Sequence, residues 1–345
     1  MLFHSSVRQE LSRYFWATLV VLTTIVITVW LIRAFGDASV GKFNPQDVGL
    51  VLGYTTLSNL HSLLTLSLYI AIVSTVSRMY ADSEMVIWFS SGRGLTSFAP
   101  PLLRFAWPIL LAIGLLALFV WPWSNQQIQD MKQRFEKRND IERVAPGQFQ
   151  ESSGGQRVFF IDKSSLQNKQ GKNVFISATD HGKQSMTSSH SGHIEMIGED
   201  RFLMLDTGQR VEQGLGQVEM KVSEFKIYGT RTDEDSETIP LPSTRSIPTV
   251  VLLQNPTPSN MGEFSWRVGL IASTFNLMVI ALAITSANPR VGRGGNLALA
   301  MLMFLTYTNF INLGQALVND GKIQWLVFLF ALHGGTLLLS LAWLT

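Results

Sequence analysis

The chain has 345 residues, 46% of them hydrophobic and 15% charged, with a formal net charge of +2. A typical soluble domain is roughly 25% charged, so the composition points to a membrane protein, and the near-neutral balance gives no support to nucleic acid or an acidic substrate as partner. With no cysteine in the sequence, disulfides, zinc–thiolate sites and thiol nucleophiles are excluded.

From the N-terminus, five long stretches lack Asp, Glu, Lys and Arg: Tyr14–Ile32, Val48–Ser77, Phe105–Gln129, Val268–Pro289 and Gly294–Asn319. A sixth, Ile323–Thr345, ends the sequence. A helix needs about 20 apolar residues to cross the hydrocarbon core, so each stretch is long enough to span. The first is longer than the roughly 7–15 residues of a signal-peptide core and ends in Arg33, so it reads as a span that is kept. Most of the charge lies between the third and fourth stretches. The expected fold class is therefore membrane α-helical, six transmembrane helices in a 3+3 arrangement with an inserted all-β domain. The expected divisions are residues 1–123 for spans one to three, 124–262 for the inserted domain and 263–345 for spans four to six.

Positive charge near span ends sets orientation. With the N-terminus inside, the inner segments carry Arg8, Arg13, Arg78, Arg93, Arg104, Arg290 and Arg293. The short outer loops carry Lys42 and Lys322 against Asp37, Asp47 and Asp320. Both termini are expected in the cytoplasm and the inserted domain outside.

The first span ends in Arg33. A cation at that depth either snorkels to the interface or meets an anionic headgroup, and the residues alone leave the two readings level. Span two is rich in hydroxyls (Thr55, Ser58, Ser62, Thr65 and Ser67), which with Asn59, Asn309 and Asn312 suit close helix contacts more than a substrate path. Between spans two and three, Asp82 and Glu84 head a segment in which Met85, Trp88 and Phe89 follow i, i+3, i+4 spacing. A helix near 80–91 with that pattern either lies in the interface by its apolar face or seats in a groove of a cytoplasmic partner.

In the inserted domain, Ser124 is placed to cap a helix running toward Val144, with Pro146-Gly147 as its stop. Short alternating runs follow at 157–161, 173–176, 193–196, 201–205 and 218–222, separated by Gly, Ser and Asp clusters, the pattern of antiparallel strands in a sandwich or roll. The proline-rich stretch from Gly229 to Gly262 reads as an extended connector. His181, His190 and His193 near Asp180 match no standard metal-ligand spacing and read as loop histidines, so no metal site is expected. Ser152-Ser153-Gly154-Gly155-Gln156 looks like the signature loop of an ABC-type ATPase, but no Gly-x4-Gly-Lys-Ser/Thr loop accompanies it, and a glycine turn accounts for it. No catalytic set is evident.

Five stretches in order are similar to the LptF/LptG family, the lipopolysaccharide export permeases of Gram-negative inner membranes. They are Val7-Arg8-Gln9-Glu10-Leu11, Leu31 to Gly36, Ser77 to Glu84, Ala145-Pro146-Gly147-Gln148-Phe149, and Ala287 to Arg293. The last two and the Arg33 context look more like the LptF type than the LptG type, and the resemblance spans essentially the whole chain. It implies a permease subunit of an ABC transporter that extracts lipopolysaccharide and passes it to a periplasmic bridge. It implies an LptG-like second permease, an LptB-like ATPase dimer, and LptC-like and LptA-like periplasmic proteins as partners. The inserted domain would be a periplasmic β-jellyroll. No cofactor would be bound by this chain, since ATP is used by the partner ATPase. The resemblance assigns Arg33 to the lipopolysaccharide headgroup and the segment of Asp82, Glu84, Met85 and Trp88 to coupling with the ATPase. One departure is Trp30, where LptF-type members often hold a second cation a turn before Arg33. The readings from other classes are a different ABC exporter and a membrane-anchored periplasmic scaffold.

Overall fold

The computed structural model describes residues 2–39, 43–92, 94–136, 149–151, 157–160, 171–180, 183–197, 200–214, 219–231, 243–287 and 292–344. They form two compact units. One comprises Met1–Ile32, Leu50–Gln129 and Pro242–Thr345, the other Arg33–Gly49 and Asp130–Leu241.

The six expected spans are present as six stretches long and apolar enough to cross a membrane: Ser6–Ser39, Pro45–Ala81, Ala99–Arg134, Pro258–Thr285, Gly294–Asn319 and Trp325–Leu344. Several extend beyond the charge-free stretches because a charge near a helix end does not stop the helix when its side chain reaches the interface or finds a partner. Helix α1 covers Leu2–Ser39, α2 Val48–Ala81 and the short α3 Glu84–Ser90. Helices α4 (Ala99–Leu115) and α5 (Trp121–Glu136) make span three, joined by a π-helical segment, Leu116–Val120. After the inserted domain come α6 (Thr249–Gln254), α7 (Pro258–Ala287) and α8 (Gly292–Asn319). A second π-helical segment, Phe330–Gly334, joins α9 (Trp325–Leu329) to α10 (Gly335–Leu344).

Spans two and four are the interior of this unit. Their most apolar windows are 67% and 61% buried, against 11–22% for the other four. Small and hydroxyl residues make this possible, since they let backbones approach and then bond across the gap. Thr65 and Thr274 hydroxyls lie 2.8 Å apart, Ser58 and Ser124 hydroxyls 2.7 Å, and Asn296 Nδ2 donates to Ser77 Oγ at 3.0 Å. Asn59 and Asn309 instead donate to carbonyls one turn back in their own helices. The outer faces of the peripheral spans are apolar and exposed, as at Val20, Ile25 and Ile32 in α1 and at Leu302, Leu305 and Phe310 in α8.

Two expectations are corrected here. Ser124 does not begin a helix; it is fully buried inside the continuation of span three and also bonds the Val120 carbonyl. Pro122, just before it, has no N–H for the carbonyl of Leu118 four residues back, and that oxygen accepts the Thr249 hydroxyl instead. The helix therefore passes through the proline. Nor is the described part of the connector extended throughout: it holds a 3-10 turn, Thr244–Ser246, and then α6. Pro146-Gly147, Pro240, Pro242, His181 and the Ser152–Gly155 loop lie outside the described residues.

The inserted domain contains a six-stranded antiparallel sheet in chain order: β1 (Phe149–Glu151), β2 (Arg157–Phe160), β3 (Gly171–Asp180), β4 (Lys183–Ile197), β5 (Asp200–Gly214) and β6 (Met220–Arg231). Side chains two apart share a face, and Val174, Ile176, Leu203 and Leu205 form its buried core, with Phe225 and Tyr228 packed on it. His190 and His193 are in strand β4, not in a loop; His193 Nδ1 lies 3.7 Å from Asp206 Oδ2. The serine-rich β4 pairs along nearly its whole length with β5.

The registers pass over one aligned row, Asn173, His190, Thr207 and Lys226. Asn173 and Thr207 have φ of 50° and 44°, a left-handed conformation that interrupts the pleat. Beside it, a Cβ on Gly208 would meet the Ser188 carbonyl and the Phe225 ring. Gly208→Ala should destabilise the sheet by about 1–3 kcal/mol through overpacking, seen as a lower unfolding temperature of the detergent-solubilised protein. Gly53→Ala in α2, where nothing lies within 4 Å of an added Cβ, is the control that should not lower it, since alanine is the better helix former.

Candidate functional site

The segment between spans two and three gathers the acidic residues singled out in the sequence. Helix α2 ends at Ala81, and Ser83 adopts φ 59° and ψ 14° ahead of α3. That left-handed residue turns the chain sharply. Residues 78 and 84 would lie on different faces of a continuous helix. Here Arg78 Nη1 donates to Glu84 Oε1 at 2.6 Å and Nη2 to Glu84 Oε2 at 3.2 Å. Nη1 also donates to Asp82 Oδ2 at 2.9 Å. Asp82 and Glu84 are thus drawn to one cation, with the Glu84 side chain still 39% exposed.

The apolar residues of α3 divide differently from the expectation. Met85 is 1% exposed and belongs to the core formed with Val7, Leu11 and Met79, while Trp88 is half-buried against the same cluster. Met85 anchors α3 and cannot itself be a contact surface. The exposed face of α3 carries Val86, Ile87 and Phe89. Of the i, i+3, i+4 stripe, Met85 and Trp88 face inward, whereas Phe89 is exposed together with Val86 and Ile87.

Arg33 is exposed near the end of α1, with exposed Leu31, Ile32 and Phe35 around it. It makes no ion pair or hydrogen bond among the described residues. Arg33 belongs to one of the two compact units and Glu84 to the other.

A third polar cluster lay hidden at the edge of the fourth charge-free stretch. Glu263 and Arg267, one turn apart on α7, are 1% and 0% exposed. Arg267 Nε and Trp121 Nε1 donate to Glu263 Oε1 at 3.1 and 3.0 Å, and Gln315 Nε2 donates to Oε2 at 2.9 Å. Arg267 Nη1 donates to Thr249 Oγ1 at 2.8 Å, while Nη2 faces the carbonyls of Thr244, Arg245 and Ile247 at 3.0–3.3 Å. The pair ties span four to spans three and five and to the segment 244–249. The sequence signal was present, an i, i+4 acid–base pair at the start of an apolar helix, but no local pattern reveals burial.

Breaking a buried pair leaves an uncompensated charge. Arg267→Met should therefore cost about 3–5 kcal/mol, read as loss of the detergent-stable folded fraction. Adding Glu263→Gln should recover part of it, because the neutral amide can still pair with Trp121 and Gln315.

Between spans two, four and five lies an open groove of about 460 Å³. The hydroxyls of Ser62, Thr65, Ser273 and Thr308 share it with the rings of Trp266, Phe304 and Tyr307. Trp266 Nε1 donates to Asn312 Oδ1 at 3.1 Å, and Tyr307 Oη lies 2.7 Å from His333 Nδ1. Its lining carries no ionised side chain.

The architecture therefore combines six spans, an inserted antiparallel sheet and a short exposed helix after a left-handed break. The family described as lipopolysaccharide export system permease LptF/LptG matches residues 7–345. The lipopolysaccharide export system permease protein LptF of Escherichia coli (strain K12) is 22% identical over 310 residues, which cover 89% of this chain and 84% of that protein. The protein of the same name from Shigella flexneri matches to the same extent. With the match running through both sets of spans and the sheet between them, the chain belongs to the LptF/LptG family of lipopolysaccharide export permeases.

Proposed function

We propose that this chain is one of two similar permease subunits of an inner-membrane ABC transporter that extracts lipopolysaccharide and hands it to a periplasmic bridge. The family match over residues 7–345 carries this reading. The chain would lie with both termini in the cytoplasm and the sheet domain in the periplasm, in line with the arginine bias of the inner segments. The six spans would form the membrane part, and the inserted domain between spans three and four the periplasmic part.

The cycle begins as lipid enters laterally between the first span of one permease and the fifth span of the other. The exposed apolar faces of α1 and α8 suit acyl chains. Arg33 holds the headgroup phosphates: guanidinium matches phosphate with paired, charge-assisted hydrogen bonds, and the exposed Arg33, without an ion pair among the described residues, is available for it. An ATPase dimer seats α3, with Glu84 and Asp82 as its acidic contacts, Val86, Ile87 and Phe89 as its apolar face, and Met85 and Trp88 as the anchor behind. ATP binding and hydrolysis in that partner close the cavity and expel the lipid toward the sheet domain. LptC-like and LptA-like proteins then receive it. This chain itself supplies no catalytic group and binds no cofactor.

The test is reconstitution. Proteoliposomes holding this chain, a second family permease and the ATPase should release lipopolysaccharide to a periplasmic acceptor only with ATP, and omission of this chain should abolish release. ATPase capture without lipopolysaccharide-stimulated turnover would indicate a different exporter. No ATPase capture at all would indicate a scaffold.

A further inference from the structure

Arg78 is used along both edges of its guanidinium. One edge faces Glu84 and Asp82, as described above. The other, Nε and Nη2, grips Glu10 of α1: Nη2 donates to Glu10 Oε2 at 2.6 Å and Nε donates to Glu10 Oε1. The Arg78 and Glu10 side chains are 22% and 18% exposed. Two carboxylates from two different helices are therefore each bound in a bidentate manner by one planar cation. Only arginine has that geometry; a lysine ammonium is a single centre without the planar fork.

Beneath this ionic bridge lies an apolar plug. Val7 and Leu11 of α1, Met79 of α2 and Met85 of α3 are all buried in one cluster. The residues flanking the bridge on each helix (Leu11 beside Glu10, Met79 beside Arg78 and Met85 beside Glu84) thus all belong to the same buried core. The start of α3 is tied to α1 by charge through Arg78 while Met85 sits in the shared core, and the left-handed Ser83 that brings Glu84 back to Arg78 is the joint of this arrangement.

We infer that Arg78 is the positioning residue of the coupling segment, and that Glu10–Arg78–Glu84 is the link by which movement of α3 reaches the first span. The inference rests on the reading of α3 as the contact with the ATPase. The link ends on α1, the helix that also carries Arg33, so a push on α3 acts directly on the span at which the lipid is proposed to enter. The link keeps its length because both of its joints are paired hydrogen bonds, which resist rotation as well as separation.

The test uses the full complex of this chain with the second permease and the ATPase in proteoliposomes, and reads lipopolysaccharide released per ATP hydrolysed. Glu10→Gln keeps the side-chain volume and lies away from the ATPase contact. It should leave the copurified ATPase and its ATP turnover unchanged while lowering release per ATP by about ten-fold, the effect of losing a charge-assisted bond. Arg78→Lys, which retains the charge but not the fork, should lower release per ATP in the same direction. A merely structural role would instead lower the yield of intact complex and leave release per ATP unchanged in the complex that assembles. Unchanged release per ATP in both Glu10→Gln and Arg78→Lys would overturn the link while leaving the ATPase contact standing. Failure of the wild-type chain to capture the ATPase would remove the coupling reading and the link together.

Discussion

Glu84→Lys is expected to strip the ATPase from the purified complex. Two effects act in the same direction. The Glu84 carboxylate is held 2.6 Å from Arg78 Nη1, so a lysine there would face a cation of its own chain and push the start of α3 away from its anchored position. The proposed partner surface would meet a positive charge where an acid is required. The Asp82 and Glu84 carboxylates both face Arg78, and the partly exposed Glu84 carboxylate offers a negative charge suited to a basic partner. Truncating one side of a desolvated charge pair costs about 2–5 kcal/mol. The lower figure applies here, since Glu84 stays partly exposed, and it corresponds to about thirty-fold weaker capture. Copurification of the ATPase with tagged chain at rising salt would measure this. Glu84→Gln should fall between, because the amide can still accept from Arg78. Equal capture by wild type and Glu84→Lys would leave α3 as a helix lying in the membrane interface.

The second large effect is expected at Arg33. Arg33→Glu should abolish lipopolysaccharide-stimulated transport while the complex assembles with its normal composition. Arg33 is exposed and makes no ion pair among the described residues, so its replacement breaks no internal contact and should not lower stability. A glutamate near the phosphates replaces a charge-assisted attraction, worth about 1.5–3 kcal/mol, with repulsion, so transport should fall by more than about ten-fold. Arg33→Lys should retain most of the effect of charge but lose the paired geometry, giving an intermediate rate. The informative measurement is single-turnover extraction of lipopolysaccharide from labelled proteoliposomes beside basal ATP hydrolysis. Normal extraction by Arg33→Glu would return Arg33 to a snorkelling role at the end of its span.

The division between local and tertiary information is visible residue by residue. Met85 and Trp88 were found through helical spacing, and both do face the core; which side of α3 remained open depended on the other helices that build that core. Ser124 follows Trp-Pro-Trp and carries every local mark of a cap. Its actual place inside span three depends on Ser58 across the helix contact and on the π-helical segment that carries the chain through Pro122. The serines of β4 read as a loop because a polar run has no apolar alternation. In the sheet their backbone is paired on both sides, and Ser189 Oγ bonds the Asp206 carbonyl at 2.7 Å.

By itself the sequence determined the six spans, their order around an antiparallel insert, the family and the presence of an acidic short helix after span two. These follow from hydrophobic length, alternation and composition, which are properties of contiguous residues. Only the tertiary structure decided that Arg78 reaches Glu10, 68 residues away, and that Glu263 receives Trp121 from 142 residues away. Such pairs leave no periodic trace, because a buried charge is tolerated wherever packing happens to bring its partner. The most specific polar chemistry of this permease was therefore the part its local sequence pattern could not disclose.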